Sequence, residues 1–218
     1  MQHIPPTVDL ICFLPDDFLN KKINEPFVKS VLCDVLDIDD WKAGDPNKYE
    51  PDYFCGNIPV EITIASNTKK RDNFIQSFKR AAYSTVDSDA DIFCYIKESI
   101  EKKLRKQYSV PNVHLCVLVL IAKPSWLFSG ISPETEDLMI SPMESSVSWI
   151  REKCIDSNKF GDVYLIFPDM NARWWLFSIK NSCTGCKILS DKEILDGGFP
   201  FWMTKENYCK MIRPNKDS

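Results

Sequence analysis

The stretch Tyr49-Glu50-Pro51-Asp52-Tyr53-Phe54-Cys55-Gly56-Asn57-Ile58-Pro59-Val60-Glu61-Ile62-Thr63 decides how this chain is read. Gly56-Asn57 is a favourable two-residue hairpin turn. Counting outward from it, Cys55 faces Ile58, Phe54 faces Pro59, Tyr53 faces Val60 and Asp52 faces Glu61. The last pair falls at a non-hydrogen-bonded position, where α-carbons stand about 4.5 Å apart and side chains approach most closely. Pro59 falls at the other such position, where its missing N–H breaks no bond to the partner strand. Two carboxylates directly opposite each other destabilise a sheet, so this register calls for a cation or for a shifted protonation state. A plainer reading stands beside it: Asp52 begins a strand in solvent and Glu61 lies on that strand's polar face.

Working outward, Val60, Ile62 and Ile64 alternate with Glu61, Thr63 and Ala65, the period of a half-buried strand. Upstream, Val28, Val31, Leu32, Val35 and Leu36 recur at helical spacing, and Asn24 as N-cap with Glu25 and Pro26 in the first turn predicts a helix over 24–36. Downstream, Phe74, Phe78 and Ala81 mark a second helix, and Ile92, Ile96, Ile100 and Leu104 a third, with a capping box at 88–91. His114 to Ile121 is an apolar run bounded by Pro111 and Pro124, suited to a strand buried on both faces. Beyond a Pro- and Ser-rich stretch reaching Pro142, a short helix is expected over 144–153. Strands follow over 163–167 and 174–179, separated by the turn-forming cluster 168–171. The expected fold is a single α/β domain over 1–218, a mixed central sheet flanked by helices, with a core over 24–122 and a C-terminal strand extension over 123–218.

Composition narrows the function. The 218 residues carry 27 Lys and Arg against 31 Asp and Glu, a net charge of -4, so no global positive field draws the chain to a polyanion. The longest apolar run is far shorter than the ~20 residues of a membrane span, and the N-terminus lacks the pattern of a signal peptide, so a cytoplasmic protein with no membrane role is expected. Nine scattered cysteines, an odd number, read as reduced core residues. Cys183 and Cys186 have zinc-knuckle spacing, but no second pair completes a four-ligand set. Two histidines and seven glycines leave little for His-based catalysis and no phosphate-cradling glycine loop. Of the adjacent Trp174 and Trp175, only one can face inward on a strand, and the outward one is expected to be a contact or dimer surface.

Pro51-Asp52, the hairpin, and Glu61-Ile62-Thr63 resemble the PD-(D/E)XK, restriction-endonuclease-like nuclease superfamily. The order of elements over roughly residues 24–122 is also similar: helix with an acid, hairpin with the acids, helix, apolar strand. The resemblance implies Mg²⁺ (or Mn²⁺) held by Asp52 and Glu61, with Glu25 in support. The position two residues after Glu61, which in that family is a Lys aiding the attacking water, is Thr63 here. A hydroxyl hydrogen-bonds a water but supplies no positive charge beside a phosphate. Lys69, Lys70 or Lys79 could supply it from elsewhere, with Lys70 taken into the catalytic set. Gln76, Lys79, Arg80 and Tyr83 lie along one helical stripe, and the first three are taken as nucleic-acid contacts.

The expected function is therefore metal-dependent hydrolysis of DNA phosphodiester bonds by a weak or degenerate endonuclease. The alternative is a catalytically inactive relative that serves as a binding, immunity or defence accessory protein, alone, as a homodimer or with a protein partner. The facing acids favour the first reading; net acidity and Thr63 favour the second.

Overall fold

The computed structural model describes residues 20–65, 89–119, 147–168 and 173–196. Its chain order is α1 (Lys21–Leu36), β1 (Trp41–Ala43), β2 (Tyr53–Cys55), β3 (Ile58–Ala65), α2 (Asp89–Leu104) and β4 (His114–Val119). A helical segment over 147–156, here α3, follows and is π-helical over Arg151–Asp156. Then come β5 (Asp162–Pro168), β6 (Arg173–Ser178), β7 (Cys183–Ile188) and α4 (Asp191–Asp196). The expected helix around Phe74 and Phe78 lies outside the described residues, as do Lys69, Lys70, Gln76, Lys79, Arg80 and Tyr83.

The described strands form one sheet in the order β1-β2-β3-β4-β5-β6-β7. The β3–β4 and β4–β5 pairs are parallel, and the four others antiparallel. A mixed α/β sheet is thus present as the sequence predicts. Parallel neighbours need a crossover, and two successive right-handed crossovers advancing the same way put their helices on one face. Tyr95, Ile96 and Ile100 of α2 and Ile150 and Cys154 of α3 accordingly share one apolar cluster with Leu115, Val117, Val163, Leu165 and Trp175. The opposite cluster holds Phe27, Val28, Val31 and Leu32 of α1 with Val60, Ile62, Cys116, Ile166, Trp174 and Ile194.

Because both faces are covered, two sequence expectations change. Strand β3 is buried on both sides rather than half-buried: Val60 and Ile62 face α1, while Glu61 and Ala65 are equally enclosed on the other face. Trp174 and Trp175 are both buried, one in each cluster, so neither forms an exposed contact surface. Trp174 meets Phe27 edge-on with ring centroids 4.6 Å apart.

Helix α1 starts earlier than expected. Asn20, not Asn24, is the N-cap, its side chain accepting from the Lys22 amide at 3.0 Å. Asn24 is a buried interior residue and Pro26 lies inside the helix. Glu25 consequently sits in the second turn, where the favourable field of the helix N-terminus has faded.

The Cys183–Cys186 pair lies on strand β7, where residues three apart point to opposite faces. Cys183 is exposed, while Cys186 packs against the α2 cluster, so the two thiols cannot close on one ion from this strand. The intervening glycine answers to packing instead: a β-carbon on Gly185 would stand 2.3 Å from Val35 Cγ1 of α1.

Candidate active site

The hairpin has the register read from its sequence, with Cys55↔Ile58, Phe54↔Pro59 and Tyr53↔Val60 paired and Gly56 at φ +54°. The next step outward brings Asp52 beside Glu61. The Asp52 amide donates to Glu61 Oε2 at 3.2 Å, and Asp52 Oδ2 accepts from the Ile62 amide at 2.9 Å. Each acid therefore holds the backbone at or beside the other, which ties both carboxylates to one end of the hairpin.

The loop before β2 is built to present Asp52. Asp45 caps a 3-10 turn over Pro46–Lys48 by accepting from the Asn47 amide at 3.0 Å, and Glu50 Oε2 accepts from the Asp45 amide at 2.8 Å. The Gly44 amide then donates to Asp52 O at 3.1 Å. Gly44 has no room for a side chain, since a β-carbon would stand 1.9 Å from Pro51 O. The Ser109 amide bonds Tyr49 O at 2.9 Å, joining this loop to the one that follows α2.

Three carboxylates and three ammoniums meet here. Lys21 Nζ lies 3.1 Å from Asp52 Oδ1 and 3.2 Å from Glu25 Oε1, so one ammonium bridges two acids from two elements. Burial works against the charged Lys21, but Asp52 and then Glu25 outweigh it and hold its pKa above the ordinary value. Tyr53 Oη donates to Glu25 Oε2 at 2.7 Å, and burial first, then this bond, pushes the phenol up to about 12. It therefore remains a donor at any physiological pH.

Glu61 is completely enclosed, and its charge is met from the other side of the sheet. Lys103 Nζ, in the last turn of α2, lies 2.5 Å from Oε1; Lys106 Nζ, just past the helix, lies 2.9 Å from Oε1 and 3.0 Å from Oε2. Lys159 Nζ in turn bonds Lys106 O at 3.0 Å and steadies the loop. A buried carboxylate without such donors would carry a severe desolvation penalty. The facing acids are paired with ammoniums, from Lys21 of α1, Lys103 of α2 and Lys106 just past it.

Of the residues singled out in sequence, Glu25, Asp52 and Glu61 lie in this cluster. Thr63 lies on β3 two residues beyond Glu61, half-buried on the same face. Sequence reasoning missed Lys21, Lys103, Lys106, Tyr53 and Tyr108. Lys21 could have been found at four residues before Glu25 on one helix, the spacing of an ion pair. Lys103 and Lys106 stand 42 and 45 residues from Glu61, across a crossover whose geometry no local pattern reports. Among the described residues no three His, Cys, Asp or Glu side chains, Glu25, Asp52 and Glu61 included, form a group that could hold a metal ion as they stand. No described helix is long and apolar enough to cross a membrane.

Comparison with protein-family models, curated proteins and solved structures finds no match to this chain.

Proposed function

We propose that this protein is a metal-dependent nuclease of PD-(D/E)XK type that hydrolyses DNA phosphodiester bonds, with the cationic role absent at Thr63 taken by Lys103 and Lys106. The observation that carries this reading is the pair of ammoniums on Glu61, which sets positive charge beside one of the two motif acids. The order α1-β1-β2-β3-α2-β4, with an antiparallel hairpin carrying both acids and a parallel β3–β4 pair, supports it further.

The donor chemistry suits a divalent ion once the carboxylates are drawn together, since as they stand no three of them form a group that could hold one. Glu25, Asp52 and Glu61 are hard oxygen donors, the chemistry Mg²⁺ and Mn²⁺ prefer. Lys21 Nζ already marks a cation position between Glu25 and Asp52, and with its side chain 68% exposed it can withdraw into water when another cation takes that place. Glu25 and Asp52 would hold the ion there with Glu61 behind them, and the ion would neutralise charge developing on a phosphate oxygen. The chain's own groups do the rest. Tyr53 fixes the Glu25 carboxylate, the Ile62 amide fixes Asp52, and Lys103 and Lys106 set positive charge in a partly dehydrated place, where it acts more strongly than in water.

A second reading, a nuclease-fold binding or defence accessory protein without catalysis, is favoured by the balance of three acids against three lysines, which needs no ion to hold together. Thermal unfolding with Mn²⁺ separates the two. The nuclease reading expects Mn²⁺ to raise the Tm of the wild type and not of Asp52→Asn, because a ligand that binds only the folded state stabilises it. Equal shifts in both proteins would place the ion elsewhere and favour the second reading. Lys70, Gln76, Lys79 and Arg80 are retained as candidate catalytic and DNA-contacting residues to be tested by substitution.

A further inference from the structure

Tyr108 follows α2 by four residues and stands beside the cluster without joining it. Its hydroxyl oxygen is fully covered yet makes no hydrogen bond. Every nearby acceptor is already engaged: Glu61 Oε1 holds Lys103 and Lys106, Glu61 Oε2 holds Lys106 and the Asp52 amide, and Asp52 holds Lys21 and the Ile62 amide. Buried polar groups in folded proteins are almost always paired, so an unpaired hydroxyl next to a charged cluster asks what it is for.

The surroundings give the chemistry. Lys106 Nζ lies 5.0 Å over the Tyr108 ring and also reaches Glu61, so the ring, the ammonium and the carboxylate share one corner. The Tyr108 loop is pinned to the Asp52 loop through the bond from the Ser109 amide to Tyr49 O. The acid nearest the hydroxyl is Glu61, which lies close enough to act on it although the bond geometry is not met. An O–H at this corner, with the Lys106 ammonium over its ring and Lys103 and Lys106 both on Glu61, can donate to an anionic oxygen that those lysines draw in. Lys106, the more exposed of the two lysines on Glu61, is the side chain whose movement would open the corner.

We propose that Tyr108 is a substrate-contacting residue whose hydroxyl donates to a phosphate oxygen held at Lys103 and Lys106. The identification of the ligand as a phosphodiester rests on the nuclease reading; the phosphate-binding corner itself does not. In the free protein the hydroxyl lacks a partner in hydrogen-bond geometry, and with phosphate bound it gains one.

Tyr108→Phe removes only that hydroxyl. Thermal unfolding of wild type, Tyr108→Phe and Lys106→Ala, without metal, is measured in inorganic phosphate and in chloride of equal ionic strength. A second arm measures Mn²⁺-supported cleavage of a labelled single-stranded oligodeoxynucleotide. Tyr108→Phe is expected to melt at or above the wild-type temperature in chloride, to lose more than half of the phosphate-induced rise, and to cleave roughly tenfold more slowly. A Tm several degrees below wild type in chloride would overturn the proposal, because the hydroxyl would then serve the fold. A phosphate-induced rise that is absent in wild type or undiminished in Tyr108→Phe would overturn it too. If wild type shows a rise that Tyr108→Phe loses but cleaves nothing, the nuclease reading fails and the phosphate corner stands. If both proteins cleave equally fast, the corner fails and the nuclease reading stands.

Discussion

Two buried carboxylates in this sheet, Asp162 and Glu61, are satisfied by opposite means. Asp162, at the start of β5, accepts from the Val163 amide at 2.7 Å, the Lys180 amide at 2.9 Å and Ser178 Oγ at 2.5 Å. All three donors are neutral, and two are backbone groups, one in β5 itself and one just past the end of β6. Glu61 takes one backbone amide and two ammoniums on long side chains, 20% and 37% exposed. Neutral backbone donors cannot leave, so Asp162 is a fixed part of the fold. Ammoniums on flexible stems can turn from a carboxylate to another anion or to water, so Glu61 sits in a site that can exchange partners.

The largest effect should therefore come from the acid with no part in chemistry. Asp162→Ala strands three donors and is expected to cost about 3 kcal/mol or more in urea unfolding, while the protein that remains folded keeps its cleavage rate. A variant as stable as wild type would break the comparison at its first term. Glu61→Gln should do the reverse. Cleavage is expected to fall about a hundredfold or more, whereas stability falls by only about 1–2 kcal/mol, because Lys103 and Lys106 both reach water. An unfolding cost for Glu61→Gln above that of Asp162→Ala would show that Glu61 too is structural.

How much of this was legible in the sequence follows the same division between near and far. The hairpin register was legible because a two-residue turn and period-two alternation are local, and the Asp52–Glu61 apposition came with it. The start of α1 was misread because Glu25-Pro26 looks like a first turn, although Asn20 is the residue whose side chain caps the helix. The Trp174–Trp175 reading failed because it depends on what covers a sheet face, and the surroundings of Cys183 and Cys186 depend on the same thing. Only the assembled layers show that α1 lies over Trp174 and Gly185 while the α2 cluster takes Trp175 and Cys186. Lys103 and Lys106 were invisible as partners of Glu61 because the crossover from β3 to β4 decides which turn of α2 ends beside that acid.

Smaller effects sharpen the contrast. Lys103→Ala is expected to cost about 1–2 kcal/mol and Lys106→Ala less, in keeping with their exposure, and both should slow Mn²⁺-supported cleavage. Thr63→Lys, which restores the motif cation, should rescue Lys103→Ala more than it helps wild type, because in wild type two ammoniums already attend Glu61. Tyr53→Phe removes the donor to Glu25 and should cost about 1 kcal/mol with a weaker Mn²⁺-induced rise in Tm.

The smallest effect is expected at His114, on the strand between the two acids. Its Nδ1 lies 3.1 Å from Tyr164 Oη, and burial, outweighing Asp162, lowers its pKa below the ordinary 6.5. The unfolded chain then binds the proton more readily. The contribution of the neutral ring is complete above pH 6.5 and is lost as pH falls from there through the depressed folded value. Urea unfolding at pH 7.5 and pH 5.5 should show a decline in wild type that is smaller in His114→Gln; an equal decline would assign the acid sensitivity to other groups.

The central claim is that Glu61 belongs to a catalytic site and not only to an ion-pair network. The most direct measurement is Mn²⁺-supported cleavage of supercoiled plasmid and single-stranded DNA by wild type and Glu61→Gln, each confirmed as folded. The expected result is metal-dependent cutting by wild type that falls at least about a hundredfold in Glu61→Gln. No cutting by wild type, or equal cutting by both, would contradict it.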